Sequence, residues 1–133
     1  PKRTVVANIH SGWRGSIKNI IGHTVSCMTE AFNSAPSDIV AGIGPSLGPC
    51  CAEFKNYKTE IPEEYWGYET SRRYFDFWAI SRDQLRASGV LKKHIHTGGI
   101  CTRCNSEEFY SYRKEGITGR FAAVIGIKSE QGH

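Results

Sequence analysis

Short β-branched apolar runs alternate along this chain with longer stretches that have helical spacing. Residues 4–9 are mostly β-branched or apolar and predict a buried strand. From Ser16 onward, apolar residues recur at Ile17, Ile20, Ile21, Val25, Met28 and Phe32. That spacing predicts a helix over about 16–32, with Ser16 as its N-cap. Gly22 weakens it by roughly 1 kcal/mol relative to Ala. A loop around Pro36 leads to a second short strand at 39–43. Strand, helix and strand form a βαβ unit, so these two strands are expected as parallel neighbours. Gly44, Pro45, Gly48 and Pro49 exclude regular structure in the next six residues. A short helix is expected at 62–65. An amphipathic helix follows over 74–88, with Phe77, Trp78 and Leu85 on its apolar side and Gly89 as its stop. Residues 94–97 read as a strand, Asn105 and Glu108 as a capping pair for a short helix, 120–128 as a last buried strand, and 129–133 as a polar tail. The class expected is α+β or α/β: one domain, 1–133, with a mixed β-sheet, flanking helices and the βαβ opening. Residues 5–9, 39–43 and 121–127 are placed at the centre of that sheet.

The densest chemistry lies in the turn His10-Ser11-Gly12-Trp13-Arg14-Gly15, between the first strand and the first helix. Gly12 and Gly15 suit positive φ or close backbone approach. His10, Trp13 and Arg14 offer a metal ligand, a flat stacking face and a planar anion-binding fork. The same residues also fit a tight turn with a core Trp and a surface Arg. The cysteines form two further groups, Cys50-Cys51 and Cys101-x-x-Cys104. Each suits a small buried hydrophobe, a nucleophile or a metal ligand. A four-ligand zinc site usually draws on two CxxC-like pairs, and the adjacent Cys50-Cys51 lacks that spacing. The thiols are therefore expected reduced and metal-free. Tyr65, Trp66, Tyr68, Tyr74, Phe75, Phe77 and Trp78 crowd one stretch, as core or as a wall for a flat ligand or a partner.

His-Ser-Gly-Trp-Arg-Gly resembles the His-Ala-Gly-Trp-Arg-Gly signature of the YfiH/laccase-domain family, called multicopper polyphenol oxidase-like and also a purine nucleoside phosphorylase family. The run from Ile43 to Glu53 resembles its Gly-Pro-x-Ile-x-x-Cys-Cys-Tyr-Glu segment, with Ala52 in place of the aromatic. Cys101-Thr102-Arg103-Cys104-Asn105, with Phe109 to Arg113 and Gly119 to Gly126, resembles its C-terminal block. The resemblance implies a catalytic His10 that is one of a His-Cys-His set holding zinc. It implies phosphorolysis of adenosine, inosine or methylthioadenosine, and deamination of adenosine. Arg14 is then the catalytic and phosphate-binding candidate. Gly12, Trp13 and Arg113 join it as substrate-binding candidates, Arg120 is a weaker one, and Asp76 matches a family Asp. The family's Gln-x-His-Gly and Ala-Asp-Cys motifs are not in this sequence, so the chain is expected to be the C-terminal half of a longer parent. The N-terminal half would then be its partner. Copper polyphenol oxidation, peptidoglycan-precursor editing by an amidase, and a non-catalytic binding role are the alternatives. Copper would need clustered histidines, and the five here are scattered.

Composition narrows the picture modestly. In 133 residues, 39% hydrophobic and 11% aromatic content suit a folded domain with a small core. A formal charge of +4 and a pI near 8.9 suit a small anionic substrate. That charge is too scattered to argue for nucleic acid. Nothing approaches a membrane span. Five cysteines without a secretory signal point to a reducing, cytoplasmic setting.

Overall fold

A computed structural model describes residues 4–129. The architecture is α+β, with strands of only two or three residues. Helix α1 (Trp13–Ile17) breaks at Asn19 before α2 (Ile20–Phe32). A 3-10 turn leads to β1 (Ala41–Ile43), followed by α3 (Tyr57–Glu60) and a 3-10 helix at Glu63–Tyr68. A hairpin of β2 (Glu69–Ser71) and β3 (Tyr74–Phe75) precedes α4 (Phe77–Ala87), β4 (Ile95–Thr97) and α5 (Tyr112–Glu115). Among the described residues the sheets are two-stranded: β1 with β4 in parallel and β2 with β3 antiparallel.

The long helix expected at 16–32 is two helices, because Asn19 adopts the left-handed conformation at φ 55°. Its side chain accepts the Gly22 N–H at 3.0 Å, so Asn19 caps α2. Ser16 is not a cap. It is buried inside α1, and its carbonyl accepts from Gln84 Nε2 at 2.7 Å. Helix α4 matches expectation more closely, although residues 74–75 of the expected 74–88 pair as β3 and the helix starts only at Phe77. Asp76 caps it by accepting the Ala79 N–H at 3.0 Å. Gly89 stops it at φ +98°, with Val90 N–H donating back to Leu85. Residues 105–109 form turns rather than the expected capped helix: Glu108 and Phe109 N–H both donate to the Asn105 carbonyl.

Two expected central strands do not form. Residues 4–9 and 117–129 join no ladder among the described residues. Residues 4–9 alternate exposed and half-buried, as a strand does, but lack a partner. Val124 is 90% exposed and Ile125 and Ile127 are each 53% exposed, so the last run is not buried. One tie joins the two segments, Asn8 Nδ2 donating to the Ala123 carbonyl at 2.7 Å. The βαβ opening is thus not formed, and β1 takes β4 as its parallel neighbour instead. Of the expected tail 129–133, residues 130–133 lie outside the described residues.

Two small cores hold the elements together. One packs Ile21 and Val25 of α2 against Leu85 and Val90, beneath β1 and β4. The other gathers Ala52, Phe54, Ile61 and Phe75. There Tyr57, Trp66, Phe75, Phe54 and Phe77 meet ring to ring at 5.5–6.0 Å. The aromatic stretch therefore belongs largely to packing. Full burial of a ring such as Phe75 contributes about 1.5–3 kcal/mol. Gln84 of α4 links the two regions by also reaching the Tyr65 hydroxyl at 3.3 Å.

Candidate functional site

The signature turn enters α1 directly, with Gly12 as its N-cap residue in extended conformation (φ −71°, ψ 174°). Neither Gly12 nor Gly15 has positive φ. A Cβ at Gly12 would lie 3.6 Å from His10 Nε2, and one at Gly15 3.4 Å from Ile20; both are ordinary contacts. The expected positive φ is therefore not met, and the backbone nearest to Gly15, the His10 carbonyl, would lie 3.9 Å from a Cβ, an ordinary contact. Within the turn, the Ser11 and Ser16 hydroxyls pair at 3.1 Å.

Trp13 points into the second core and meets Phe54 edge-on, with ring centroids 5.4 Å apart. The Arg14 guanidinium lies over the Trp13 ring at 4.6 Å, and its residue is exposed. Arg113 reaches the same platform from α5. Its guanidinium lies 4.6 Å over the Phe54 ring and donates to the Glu53 carbonyl. The Glu53 carboxylate accepts from the Tyr74 hydroxyl at 3.0 Å, which holds the Tyr74 pKa above its usual value. The adjacent Trp13 and Arg14 and the distant Arg113 thus share one platform built on Phe54. Phe54 is the residue that sequence reasoning missed, while Glu53 and Tyr74 were named only within the Ile43–Glu53 segment and the aromatic stretch. The weak signal for Phe54 was its position just after the Cys50-Cys51 segment. Arg120 is not part of the platform: it donates to the Thr118 and Gly119 carbonyls at 3.0 Å each.

His10 is exposed. Zinc, which the resemblance places on this histidine, needs about three protein ligands. Among the described residues His10 belongs to no group of three metal-ligating side chains. The described residues alone therefore do not build a zinc site at His10, nor a multi-histidine copper centre.

The cysteines behave differently. Cys50, Cys51, Cys101 and Cys104 bring their sulfurs within 4.8 Å of one another. Their spacing argued against a common site, but the fold removes that objection. The β1–β4 pair continues past its strands through Gly98 N–H to the Ile43 carbonyl (2.8 Å) and a parallel bridge between Ser46 and Cys101. Both cysteine loops leave the carboxyl ends of neighbouring parallel strands, where crevices form in α/β sheets. Gly48 N–H donates to Cys101 Sγ at 3.3 Å, and Trp78 closes over Gly48. Burial raises the Cys101 thiol, but backbone N–H groups of Cys104, Gly48 and Arg103 outweigh it and bring its pKa down to about 7. Burial and the hydrogen bond to Cys104 hold Cys50 well above the thiol range, and the bond to Cys51 raises Cys104. Cys27 stands apart, exposed on α2. No described helix is long and apolar enough to cross a membrane.

A family model described as multi-copper polyphenol oxidoreductase laccase matches residues 1–128. The chain is 36% identical over 140 residues to purine nucleoside phosphorylase YlmD of Geobacillus stearothermophilus, covering 98% of this chain and 51% of that protein. It is 33% identical over 134 residues to purine nucleoside phosphorylase YfiH of Escherichia coli, covering 93% and 51%. The crystal structure of the Geobacillus YlmD superposes with a TM-score of 0.66 over 79% of this chain and 42% of that one. A Bacillus licheniformis hypothetical protein YfiH gives 0.68 at 26% identity, over 79% and 43%. The chain spans about half the length of the curated relatives it matches. With the signature turn, the cysteine segment and the C-terminal block all inside the matched range, the chain belongs to the YfiH-type, multi-copper polyphenol oxidoreductase laccase family.

Proposed function

We propose that this chain forms part of a purine nucleoside phosphorylase, with the His10–Gly15 turn presenting Arg14 to the phosphate co-substrate. The observation that carries this reading is the state of Arg14. Its guanidinium is exposed, lies over the Trp13 ring, and has no carboxylate partner among the described residues. A planar cation held by a ring loses little further freedom on binding an oxyanion, and its paired N–H donors match two phosphate oxygens. The names of the relatives support the same chemistry.

In phosphorolysis a phosphate oxygen attacks the anomeric carbon of the ribose. The bond from that carbon to the purine nitrogen breaks, and the base leaves with the electron pair and takes up a proton. Arg14 holds the attacking dianion. Trp13 and the anchored Arg113 keep the neighbouring surface rigid, so the dianion meets the sugar in one orientation. His10 would enter as a metal ligand only with donors beyond the described residues. The nucleosides expected are adenosine, inosine and methylthioadenosine, and adenosine deamination is the accompanying activity.

The test incubates the chain, and any longer polypeptide that carries it, with each nucleoside with and without inorganic phosphate. Chromatography then resolves free base, sugar phosphate and deaminated nucleoside. Phosphate-dependent base release is expected. Arg14→Ala should raise the KM for phosphate about tenfold or more, equivalent to about 1.4 kcal/mol, while leaving that for nucleoside nearly unchanged. Base release that ignores phosphate, or an Arg14→Ala protein with an unchanged phosphate KM, overturns the reading.

A further inference from the structure

We propose that Cys50, Cys51, Cys101 and Cys104 form a tetrathiolate site for one thiophilic divalent cation, with Zn²⁺ the ion that fits, separate from the chemistry of the His10 turn. The argument begins with distances. Zinc–sulfur bonds are about 2.3 Å, so a tetrahedral tetrathiolate has sulfurs about 3.8 Å apart. Here Cys50 Sγ and Cys51 Sγ each lie 3.5 Å from Cys104 Sγ, and all four sulfurs lie within 4.8 Å of one another. The two 3.5 Å edges need to lengthen by about 0.3 Å, and no edge exceeds the tetrahedral value by more than about 1 Å, so small side-chain adjustments convert the cluster into a coordination tetrahedron. The donor set is four sulfurs with no carboxylate or imidazole, which selects zinc or iron over magnesium, calcium or manganese.

The surroundings suit thiolates. Gly48 N–H points at Cys101 Sγ at 3.3 Å, the kind of backbone donation that orients a ligand and spreads its charge. The Cys101 carbonyl is held by Asn105, through its backbone N–H at 3.1 Å and Nδ2 at 2.8 Å. This fixes the turn that carries Cys104. The two loops are locked to each other by Ser46 N–H to the Ile100 carbonyl (3.1 Å) and Thr102 N–H to the Ser46 carbonyl (3.0 Å). The scaffold is thus built around the sulfurs from both sides. With all four positions taken by protein, the ion has no open position for water or substrate. Its role is structural: it clamps the ends of β1 and β4 and the Ala52–Phe54 segment on which Trp13 and Arg113 rest. Binding changes no oxidation state. Each thiol that enters coordination releases its proton to solvent.

The test uses the whole chain, reduced with a phosphine, stripped of metal and titrated with Co²⁺, then Zn²⁺. The expected result is one Co²⁺ per chain, with intense visible ligand-field bands of tetrahedral geometry and a near-ultraviolet thiolate charge-transfer band. One equivalent of Zn²⁺ should bleach both. Cys104→Ser and Cys50→Ser, at exposed positions that should leave folding intact, should weaken Co²⁺ binding at least tenfold and change the band shape. Cys27→Ser should change neither, and His10→Ala should leave the thiolate band in place. In zinc-loaded protein, a thiol reagent should modify Cys27 quickly and the other four slowly until a chelator is added. An absent charge-transfer band, bands that survive Cys104→Ser unchanged, or a disulfide among the four that persists in reductant each overturns the proposal. Because His10→Ala separates the two sites, failure here leaves the phosphate reading of Arg14 standing, and failure of that reading leaves this one.

Discussion

Replacing Gly48 with alanine tests how the cysteine loops are held. A Cβ at this position would lie 2.8 Å from Trp78 Cη2, 3.1 Å from Cys101 Cβ and 3.2 Å from Trp78 Cζ2. The first distance is too short for two carbons, so something must move. The indole cannot bend, and it is tethered by its Nε1–H donating to Ser46 Oγ at 2.7 Å. Overpacking of this kind costs about 1–3 kcal/mol. If the loop shifts instead, Gly48 N–H leaves Cys101 Sγ, at a cost of about 0.5–1.5 kcal/mol. The expected destabilisation of Gly48→Ala is therefore about 0.5–3 kcal/mol, set by which of the two gives way. Its upper end is a large fraction of the roughly 5–15 kcal/mol that holds a domain folded. Urea unfolding followed by circular dichroism and tryptophan fluorescence measures it, with coincident curves as the check on two-state behaviour. A second background isolates the cause. Trp78→Phe removes the two ring atoms that collide, so Gly48→Ala should cost less there, with a coupling of at least about 0.5 kcal/mol. An equal cost in both backgrounds, or a cost below about 0.5 kcal/mol in the parent, refutes the argument that the ring closes on Gly48.

Two further outcomes follow from single hydrogen bonds. Asp76→Ala removes the acceptor for Ala79 N–H at the start of α4 and should destabilise by about 1 kcal/mol in the same urea assay, whereas Asp76→Asn should recover most of it. Tyr68 donates to Asp83 Oδ2 at 2.7 Å, and burial first, then Asp83, raises its pKa from 10.0 to about 12. The sign follows from the raised value: the stabilisation is intact below pH 10 and is lost as pH climbs through about 12. A tyrosinate absorbance titration should lose its latest-ionising step in Tyr68→Phe, and that variant should lose less stability between pH 10 and 12 than the parent.

Local signals in the sequence served well where an element carries its own start and stop. Helix α4 has spaced apolar residues within it and Gly89 after it, and both act as their chemistry suggests, whereas its cap Asp76 was placed inside the expected helix and not at its start. The short runs containing β1 and β4 were also readable. Residues 4–9 and 121–127 carry the same β-branched composition, yet a strand exists only where another backbone accepts its hydrogen bonds, and composition does not specify the partner. Asn19 breaks the first helix by adopting a backbone conformation that a periodicity argument does not see. In the site, the Trp–Arg pair of the turn was visible because its members are adjacent. Phe54, which joins Trp13 to Arg113, was not, since nothing local distinguishes it from another core ring. The four cysteines were visible as two pairs but not as one cluster, because their meeting depends on β1 choosing β4 rather than the segment before α1.

That choice of partner also sets how the chain must find its shape. Cys50 and Cys104 are 54 positions apart, so joining the two cysteine loops closes a long segment of chain. The length-dependent part of that closure opposes folding by about 3.5 kcal/mol in chain entropy. It is incurred once and shared by the β1–β4 ladder, the Ser46–Cys101 bridge and the sulfur cluster, which therefore form as a unit. Contacts between distant parts of a chain arrive late, after helices such as α2 and α4 have had time to form. A folding chain would thus hold its helices before it had a crevice. The sulfur cluster, lying at the closing point of the loop, marks the moment at which the two parts of the fold become one.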